Sequence, residues 1–344
     1  MLRVGVIGYG YWGPNLVRNF METPGATVGA VSDLRPARLA ECQARYPSIR
    51  VSPDFETLIQ DPTLDAILVS TPVSTHFALA MAAIQAGKHV LVEKPLTTTS
   101  EDARRLIDAA DKKGVVLMVD HTFVYTGAVR KMRELVEAGD LGQVYYYDSM
   151  RVNLGLFQHD VNVIWDLAVH DLAIMHYVLG AKPYAVSATG RSHVGNQPEN
   201  IAYMTFMFPG GLIGHINVNW LAPLKVRRTM IGGSTKMIVY DDMEPSEKIK
   251  IYDKGILVGN GPESVYKLLV SYRSGDMWAP NLDRTEALRL EAMEFMRCIA
   301  TGDKSLTSGE VGLHVVELLE AATASMKQQG TLVEIGAGKA AVTV

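Results

Sequence analysis

The chain has 344 residues, too many for one ordinary core, and its 48% hydrophobic and 20% charged composition is that of a globular protein with two domains. A net charge of −4 gives no electrostatic case for nucleic acid or an anionic membrane as partner, although an anionic small substrate would need only a local cluster of Arg and Lys. No apolar run reaches the roughly 18 residues needed to span a bilayer. Met1-Leu2-Arg3 leads straight into an apolar strand, without the layout of a signal peptide. The two cysteines, Cys42 and Cys298, fall in predicted helices outside any C-x-x-C or His-rich cluster. That argues against a disulfide framework and against a metal site, and for a reducing, cytoplasmic setting.

The first third alternates short apolar runs with helical patterns. Strands are expected at Leu2–Ile7, Thr27–Ser32, Asp65–Ser70, His89–Glu93 and Val115–Val119. Helices are expected at Trp12–Met21, Pro36–Tyr46, Thr75–Ala86 and Ser100–Lys113, with Pro36 suited to a first turn and Ser100 as N-cap. Apolar strands alternating with amphipathic helices predict an α/β Rossmann domain, a doubly wound parallel sheet covered on both faces, over residues 1–121.

After residue 121 the rhythm changes. A helix at Ala128–Ala138 precedes strands at Val144–Arg151, Tyr184–Ser192, Ala202–Phe208, Leu212–Trp220, Arg227–Ile231, Met237–Tyr240 and Ile249–Tyr252, with Pro209-Gly210-Gly211 as a tight turn. Helices return at Val163–Leu179, Arg284–Ala300 and Val311–Gln328. Residues 122–344 therefore read as one α+β domain with a large, mostly antiparallel open sheet, for substrate binding and oligomerisation. An exposed face on such a sheet demands cover, which predicts a homodimer or homotetramer.

The first strand ends in Gly8-Tyr9-Gly10-Tyr11-Trp12-Gly13, a G-x-G-x-x-G placed between a strand and a helix. Gly8 permits the tight turn, Gly10 lets backbone amides approach a pyrophosphate, and Gly13 lets the helix pack close to the sheet. Tyr11 and Trp12 sit where the helix N-terminus would face the phosphates. Asp33 ends the second strand, twenty residues after Gly13, where a carboxylate can accept both adenosine ribose hydroxyls. The expected cofactor is NAD, because a carboxylate repels a 2′-phosphate. Arg35 and Arg38 leave NADP open, since a nearby arginine can accommodate that phosphate, but surface helix charge is the preferred reading of both.

Lys94 lies at the carboxyl end of a predicted parallel strand, where ligands bind in open α/β sheets. A lysine there can bond a substrate hydroxyl beside a nicotinamide. Asp166 and His170, in WDLAVHDL, are one helical turn apart and share a face. Histidine titrates near neutrality and can take a hydroxyl proton, while the carboxylate orients the ring or contacts the substrate. Spacing alone leaves open a core histidine satisfied by a local carboxylate. Asp171 and His176 point off that face, and His215 lies inside a strand of alternating pattern; all three read as structural.

Taken together, G-x-G-x-x-G, Ser70-Thr71-Pro72, Glu93-Lys94-Pro95 and the Asp166–His170 pair resemble the glucose–fructose oxidoreductase / inositol dehydrogenase (Gfo/Idh/MocA) family over nearly the whole chain. The resemblance implies that Ser70, Thr71, Pro72, Glu93 and Pro95 line the cofactor. It also implies that Lys94 bridges substrate and cofactor, and that Asp166 and His170 act in proton transfer. His76, in TPVSTH, either lies along the cofactor or stabilises the start of a helix. The sequence departs from many members at Asn162-Val163-Ile164 and Ala168, where glycines are common, and at Ala173, where an acidic residue is common. The stretches YGYWGPNLVRNF, EKPLTTT and MVDHTF look most like members that oxidise a UDP-linked sugar at C3, which implies a UDP-N-acetylhexosamine or its uronate as substrate.

Candidate substrate residues are Arg151 and Asn153 at the end of a strand, His159, Asp160 and Asn162 in the following loop, and Tyr272, Arg273 and Trp278 before the helix at Arg284. Such groups read sugar hydroxyls, stack on rings or meet a phosphate. The expected mechanism has substrate between the domains and His170 removing the hydroxyl proton while hydride leaves the sugar carbon. Asp166 holds the imidazole, and Lys94 polarises the oxygen. The alternatives are a free-sugar or inositol dehydrogenase, an NAD-dependent glycosidase with transient redox, and a non-catalytic NAD-sensing module.

Overall fold

A computed structural model describes residues 1–155, 161–194, 198–258 and 270–336, with side chains except at 256–258 and 270–273. The chain divides into two compact units, one of Met1–Thr126 with Arg284–Glu317, the other of Gly127–Asp283 with the chain from Leu318 onward.

In the first unit, β1 (Leu2–Ile7), β2 (Ala26–Ser32), β3 (Arg50–Ser52), β4 (Ala66–Val69), β5 (His89–Glu93) and β6 (Leu117–Asp120) form a six-stranded sheet in the order β3-β2-β1-β4-β5-β6. All the described pairings in it are parallel. Helices α1 (Gly13–Glu22), α2 (Pro36–Arg45), α3 (Glu56–Ile59), α4 (Val73–Gln85) and α5 (Ser100–Lys113) connect the strands. Ala66, Ile67, Leu68 and Val69 are fully buried, as a strand covered on both faces requires. The order reverses between β1 and β4, so the loops after these two strands flank the crevice where open α/β sheets bind ligands. One expected detail differs: the N-cap of α5 is Thr99, whose hydroxyl accepts from Asp102 N, and Ser100 is already helical.

The second unit opens with α6 (Gly127–Glu137) and β7 (Val144–Leu154), followed by α7 (Val169–Leu179). The remaining strands are β8 (Ala185–Arg191), β9 (Ile201–Met207), β10 (Ile213–Asn219), β11 (Leu221–Gly233), β12 (Met237–Asp241), β13 (Ile249–Val258), β14 (Val270–Trp278) and β15 (Val333–Glu334). The sheet runs β14-β13-β12-β11-β7-β10-β9-β8-β15, with β10 and β7 parallel and the other described pairs antiparallel. The expected α+β domain with a mostly antiparallel sheet is what forms. Strand β11 starts at Leu221, well before the expected Arg227, because a register shift between Leu221 and Val226 accommodates Pro223. One face of the sheet packs Tyr147, Ser149 and Arg151 of β7 inward. The other carries Tyr146, Met150, Tyr203, Ile213 and Met230, all more than a third exposed. Tyr146 lies directly opposite Ile213 across a strand pair, whereas Met230 lies opposite Asp148.

Two long helices follow, α8 (Ala287–Thr301) and α9 (Gly309–Lys327). The expected second domain ran unbroken from 122, whereas by packing Arg284–Glu317 belongs to the first unit. The reason lies in α8 itself. Its stripe of Leu288, Ala292, Phe295 and Cys298 is buried. Phe295 meets Phe20 of α1 edge-on at 6.4 Å, and Arg18 forks onto Glu286 at 2.9 and 2.5 Å.

The core of the second unit holds an ion pair. Arg151 Nε donates to Asp171 Oδ2 at 2.6 Å and Ser149 Oγ to Oδ1 at 2.7 Å, with Arg151 4% and Asp171 2% exposed. Removing one member leaves a buried charge uncompensated. Asp171→Ala should lower unfolding stability by about 3–5 kcal/mol in denaturant melts, and the double replacement Arg151→Met with Asp171→Leu should recover most of it.

Candidate active site

Strand β1 delivers the chain to a turn that only glycine can make. Gly8 has φ +99°, and a Cβ there would stand 2.2 Å from the carbonyl oxygen of Ser70. A Cβ on Gly13 would stand 2.1 Å from Gly8 O. Gly10 is different: its added Cβ would meet a single described atom within 4 Å, Arg35 Nη2 at 3.4 Å. The first and third glycines thus serve the packing of α1 on the sheet, and the second leaves open space over the backbone. This is the cradle a pyrophosphate requires at a helix N-terminus. Trp12 is the residue just before α1, and Tyr11 beside it is 91% exposed.

Asp33 is 8% exposed and receives Tyr9 N at 2.8 Å, Arg35 N at 2.9 Å, and the Arg35 guanidinium on both oxygens at 2.9 Å. Burial alone would raise this carboxyl's pKa. The hydrogen bonds from Arg35 and Tyr9 outweigh burial and hold it down at about 2, so the group stays an acceptor until strongly acid pH. Arg38 is paired with Glu41 at 2.8 Å on the exposed side of α2.

After β4, Ser70 and Thr71 lead to Pro72, the residue capping α4, and Thr71 and Thr75 share a hydroxyl contact of 2.7 Å. His76 is buried. Its Nε2 lies 2.8 Å from Thr71 O and its Nδ1 2.9 Å from Pro95 O. Burial, the largest influence, lowers its pKa against the pull of these carbonyls. His76 thus straps the loop after β4 to the loop after β5. Glu93 ends β5, and Lys94, half-buried, follows it into a cis bond with Pro95. Lys94 N donates to Glu93 Oε2 at 3.0 Å.

In the second unit, Asp166 sits in a π-helical turn, Ile164–Ala168, that runs into α7, where His170 lies. The expected single α-helix therefore starts with a wider turn, a feature frequent at functional sites. Trp220 Nε1 donates to Asp166 Oδ2 at 3.1 Å, and Trp220 is 1% exposed. Asn153 and Trp220 both border Gly155, whose added Cβ would fall 2.5 Å from Asn153 Nδ2 and 3.3 Å from Trp220 Cδ1. Asp166, Trp220 and Asn153 thus share one neighbourhood.

Other expected substrate residues are drawn elsewhere. Arg151 is consumed by Asp171 in the core and cannot present its guanidinium to a ligand; its place at a strand end concealed that it faces inward. Asn162 donates to Glu199 at 3.1 Å, and its Oδ1 accepts from Trp165 N at 3.3 Å, anchoring the start of the helix. Trp278 carries the Lys236 ammonium 5.3 Å over its ring. It lies on β14, a strand that the Gly- and Pro-containing sequence concealed. His159 and Asp160 lie outside the described residues, as do the side chains of Tyr272 and Arg273. His215 bonds Thr205 across a strand pair at 3.1 Å.

Comparison with known proteins decides the lineage. Residues 2–121 match the oxidoreductase family with an NAD-binding Rossmann fold, and residues 129–239 match the GFO/IDH/MocA C-terminal domain. The chain belongs to the Gfo/Idh/MocA family. As a member it is an oxidoreductase whose N-terminal domain binds NAD. It is 26% identical to a myo-inositol 2-dehydrogenase of Thermotoga maritima, with 95% of this chain and 97% of that one covered. It is 29% identical to a UDP-N-acetylglucosamine 3-dehydrogenase of Acidithiobacillus ferrooxidans, covering 92% and 94%. A solved structure of a UDP-N-acetylglucosamine 3-dehydrogenase from that organism superposes with a TM-score of 0.79 at 26% identity, covering 95% and 98%.

Three side chains carried no sequence signal of their own: Asp120 and Glu291 in the first unit and Trp220 in the second. Asp120 lies in MVDHTF but gains meaning only from its partner, Trp12, whose Nε1 donates to its Oδ2 at 2.8 Å. The open space at Gly10 yields a direct test. Gly10→Ala should leave the melting temperature unchanged, because the methyl meets one mobile guanidinium, yet weaken NAD binding about tenfold or more by calorimetry. Wild-type affinity in this variant would remove Gly10 from the cofactor cradle.

Proposed function

We propose that this protein is an NAD-dependent dehydrogenase of a nucleotide-linked sugar, oxidising the C3 hydroxyl of a UDP-N-acetylhexosamine or its uronate. The observation that carries the reading is a division of labour within one chain. The nicotinamide-binding sheet ends β5 in Lys94, and a separate helix begins with the pair Asp166 and His170. The 29% identity with a UDP-N-acetylglucosamine 3-dehydrogenase over 92% of the chain supports the substrate class. The 26% identity with a myo-inositol 2-dehydrogenase supports a second reading, a free polyol as substrate.

NAD supplies the hydride acceptor. Gly8, Gly10 and Gly13 shape the turn that receives its pyrophosphate, and Asp33 accepts from its adenosine ribose. For that, Arg35 must give up at least one of its two guanidinium bonds to Asp33, and its side chain, 58% exposed, has room to swing away. His170 takes the proton from the substrate hydroxyl, Asp166 orients the ring or the substrate, and Lys94 stabilises the oxygen as it loses that proton. The Asp33 carboxylate disfavours a 2′-phosphate, so NAD is the preferred cofactor. The apolar open face of the nine-stranded sheet, centred on Tyr146, Met150 and Ile213, pairs with a second copy of the chain.

Lys94→Ala and His170→Ala should each lower kcat by about 10²–10⁴ while leaving NADH binding intact, since a positioned acid or base contributes that much. Near-normal turnover in either variant would take that residue out of the mechanism. UDP-N-acetylglucosaminuronate should drive reduction of NAD and free myo-inositol should not. The reverse outcome selects the polyol reading, and a higher kcat/KM with NADP would overturn the cofactor preference.

A further inference from the structure

Beneath the nucleotide loop, three carboxyl groups meet. Glu93 and Asp120 are register partners at the ends of β5 and β6, and Glu291, buried on α8, lies close enough to feel the charge of both. Glu291 is 1% exposed, and neither of its carboxyl oxygens has a hydrogen-bond partner among the described residues. A buried, unpartnered carboxyl is rare enough to demand a reason. Asp120, 2% exposed, is by contrast rich in donors: Trp12 Nε1 on Oδ2 at 2.8 Å, and Thr122 N and Oγ1 on Oδ1 at 3.2 and 2.5 Å. Trp12 in turn is the last residue before α1, at the point where the cofactor pyrophosphate approaches.

We propose that Glu291 is a positioning residue for the nucleotide loop: in its protonated form it donates to Asp120, directly or through one buried water, and keeps that carboxylate aimed at the Trp12 indole. Three carboxyl groups this close and this dry cannot all be ionised. Burial, then the charge of Asp120, pushes Glu291 well above the ordinary carboxyl range, and the same two influences push Glu93 up. The other titratable groups facing the cluster do not reverse this. Lys94 lowers Glu93 but ranks behind burial and Asp120. On Glu291 itself, the one lowering influence, from the backbone of His121, ranks last, behind burial and the charges of Asp120 and Glu93. Tyr125, held by Ser305 and Thr307, is itself pushed up by burial and by Glu291 and Glu294. Asp120 receives the donors, and Glu93 and Glu291 hold their protons more tightly than ordinary carboxyls.

The sign follows. Groups held protonated in the folded state lose that hold as pH rises, so above the ordinary carboxyl range the cluster should ionise with rising pH, repel itself and release Trp12. The inference concerns NAD binding alone and is independent of which sugar is oxidised.

The test is NAD affinity across pH in full-length protein. Wild type should lose affinity toward alkaline pH. Glu291→Gln, which keeps a donor but cannot ionise, should match wild type within about twofold at pH 7 and lack that alkaline loss. Glu291→Leu, which keeps bulk but no donor, should bind NAD about tenfold more weakly at pH 7 with kcat at saturating NAD little changed. An unaltered alkaline loss in Glu291→Gln, or wild-type affinity in Glu291→Leu, overturns the proposal. Should Glu291→Leu not fold, Trp12→Phe reads the same link from its other end. It should be weakened at pH 7 and insensitive to alkaline pH, and a retained alkaline loss refutes the link.

Discussion

Helix α1 approaches the end of β1 so closely that position 13 has no room for a single added carbon beside the Gly8 carbonyl. Much of the first unit's chemistry follows from that contact. It brings the free N–H groups of the α1 N-terminus to the sheet edge, where an anion gains most from them. It also sets where the residues between the glycines point, Tyr9 inward and Tyr11 into solvent. Tyr9 turns its N–H to Asp33, and Trp12 sends its indole to Asp120. The loop is therefore held by carboxylates on two sides, each belonging to a different strand end, while its backbone stays open at Gly10.

The two sides are electrostatically opposite. Asp33 is surrounded by donors, one of them a guanidinium, and remains ionised at any ordinary pH. Glu93 and Glu291 lie where burial and the Asp120 charge both oppose ionisation. A ribose acceptor has to be charged to exclude a phosphate and to take two hydroxyl donors. A support beneath the loop has to donate, and a carboxyl can donate only when it carries its proton. One sheet edge thus uses the same functional group in both protonation states, sorted by access to cations and water.

What the sequence made legible divides along the same physical line. Runs such as AILV and HVLVE identify buried parallel strands because nothing but a doubly covered sheet asks for them, and G-x-G-x-x-G between strand and helix announces its own geometry. Strand β14 was invisible because Gly275 and the nearby Pro280 resemble loop punctuation. The placement of α8 with the first unit was invisible because packing against Phe20 is a long-range fact with no local pattern. Arg151 illustrates a subtler limit. Period-two alternation says that it and Ser149 share a face, but which face is covered by a helix bearing Asp171 is decided by the whole sheet.

In the second unit, the pair proposed for acid/base work turns on how a single helix start sorts two aspartates. Asp166 and Asp171 are five residues apart, and in a uniform α-helix their directions would differ by more than a quarter turn. The π-helical turn over Ile164–Ala168 shifts that phase just where the chain leaves the loop, so sequence spacing alone misjudges where each carboxylate aims. Their partners then fix their fates. Asp171 is met by a guanidinium and a hydroxyl in the core, and its charge is spent on holding β7 to α7. Asp166 is met by an indole N–H, a neutral donor that helps to fix the direction of the carboxylate. A carboxylate aimed in this way can steady an imidazole that gains a proton, which is what the role proposed for it demands.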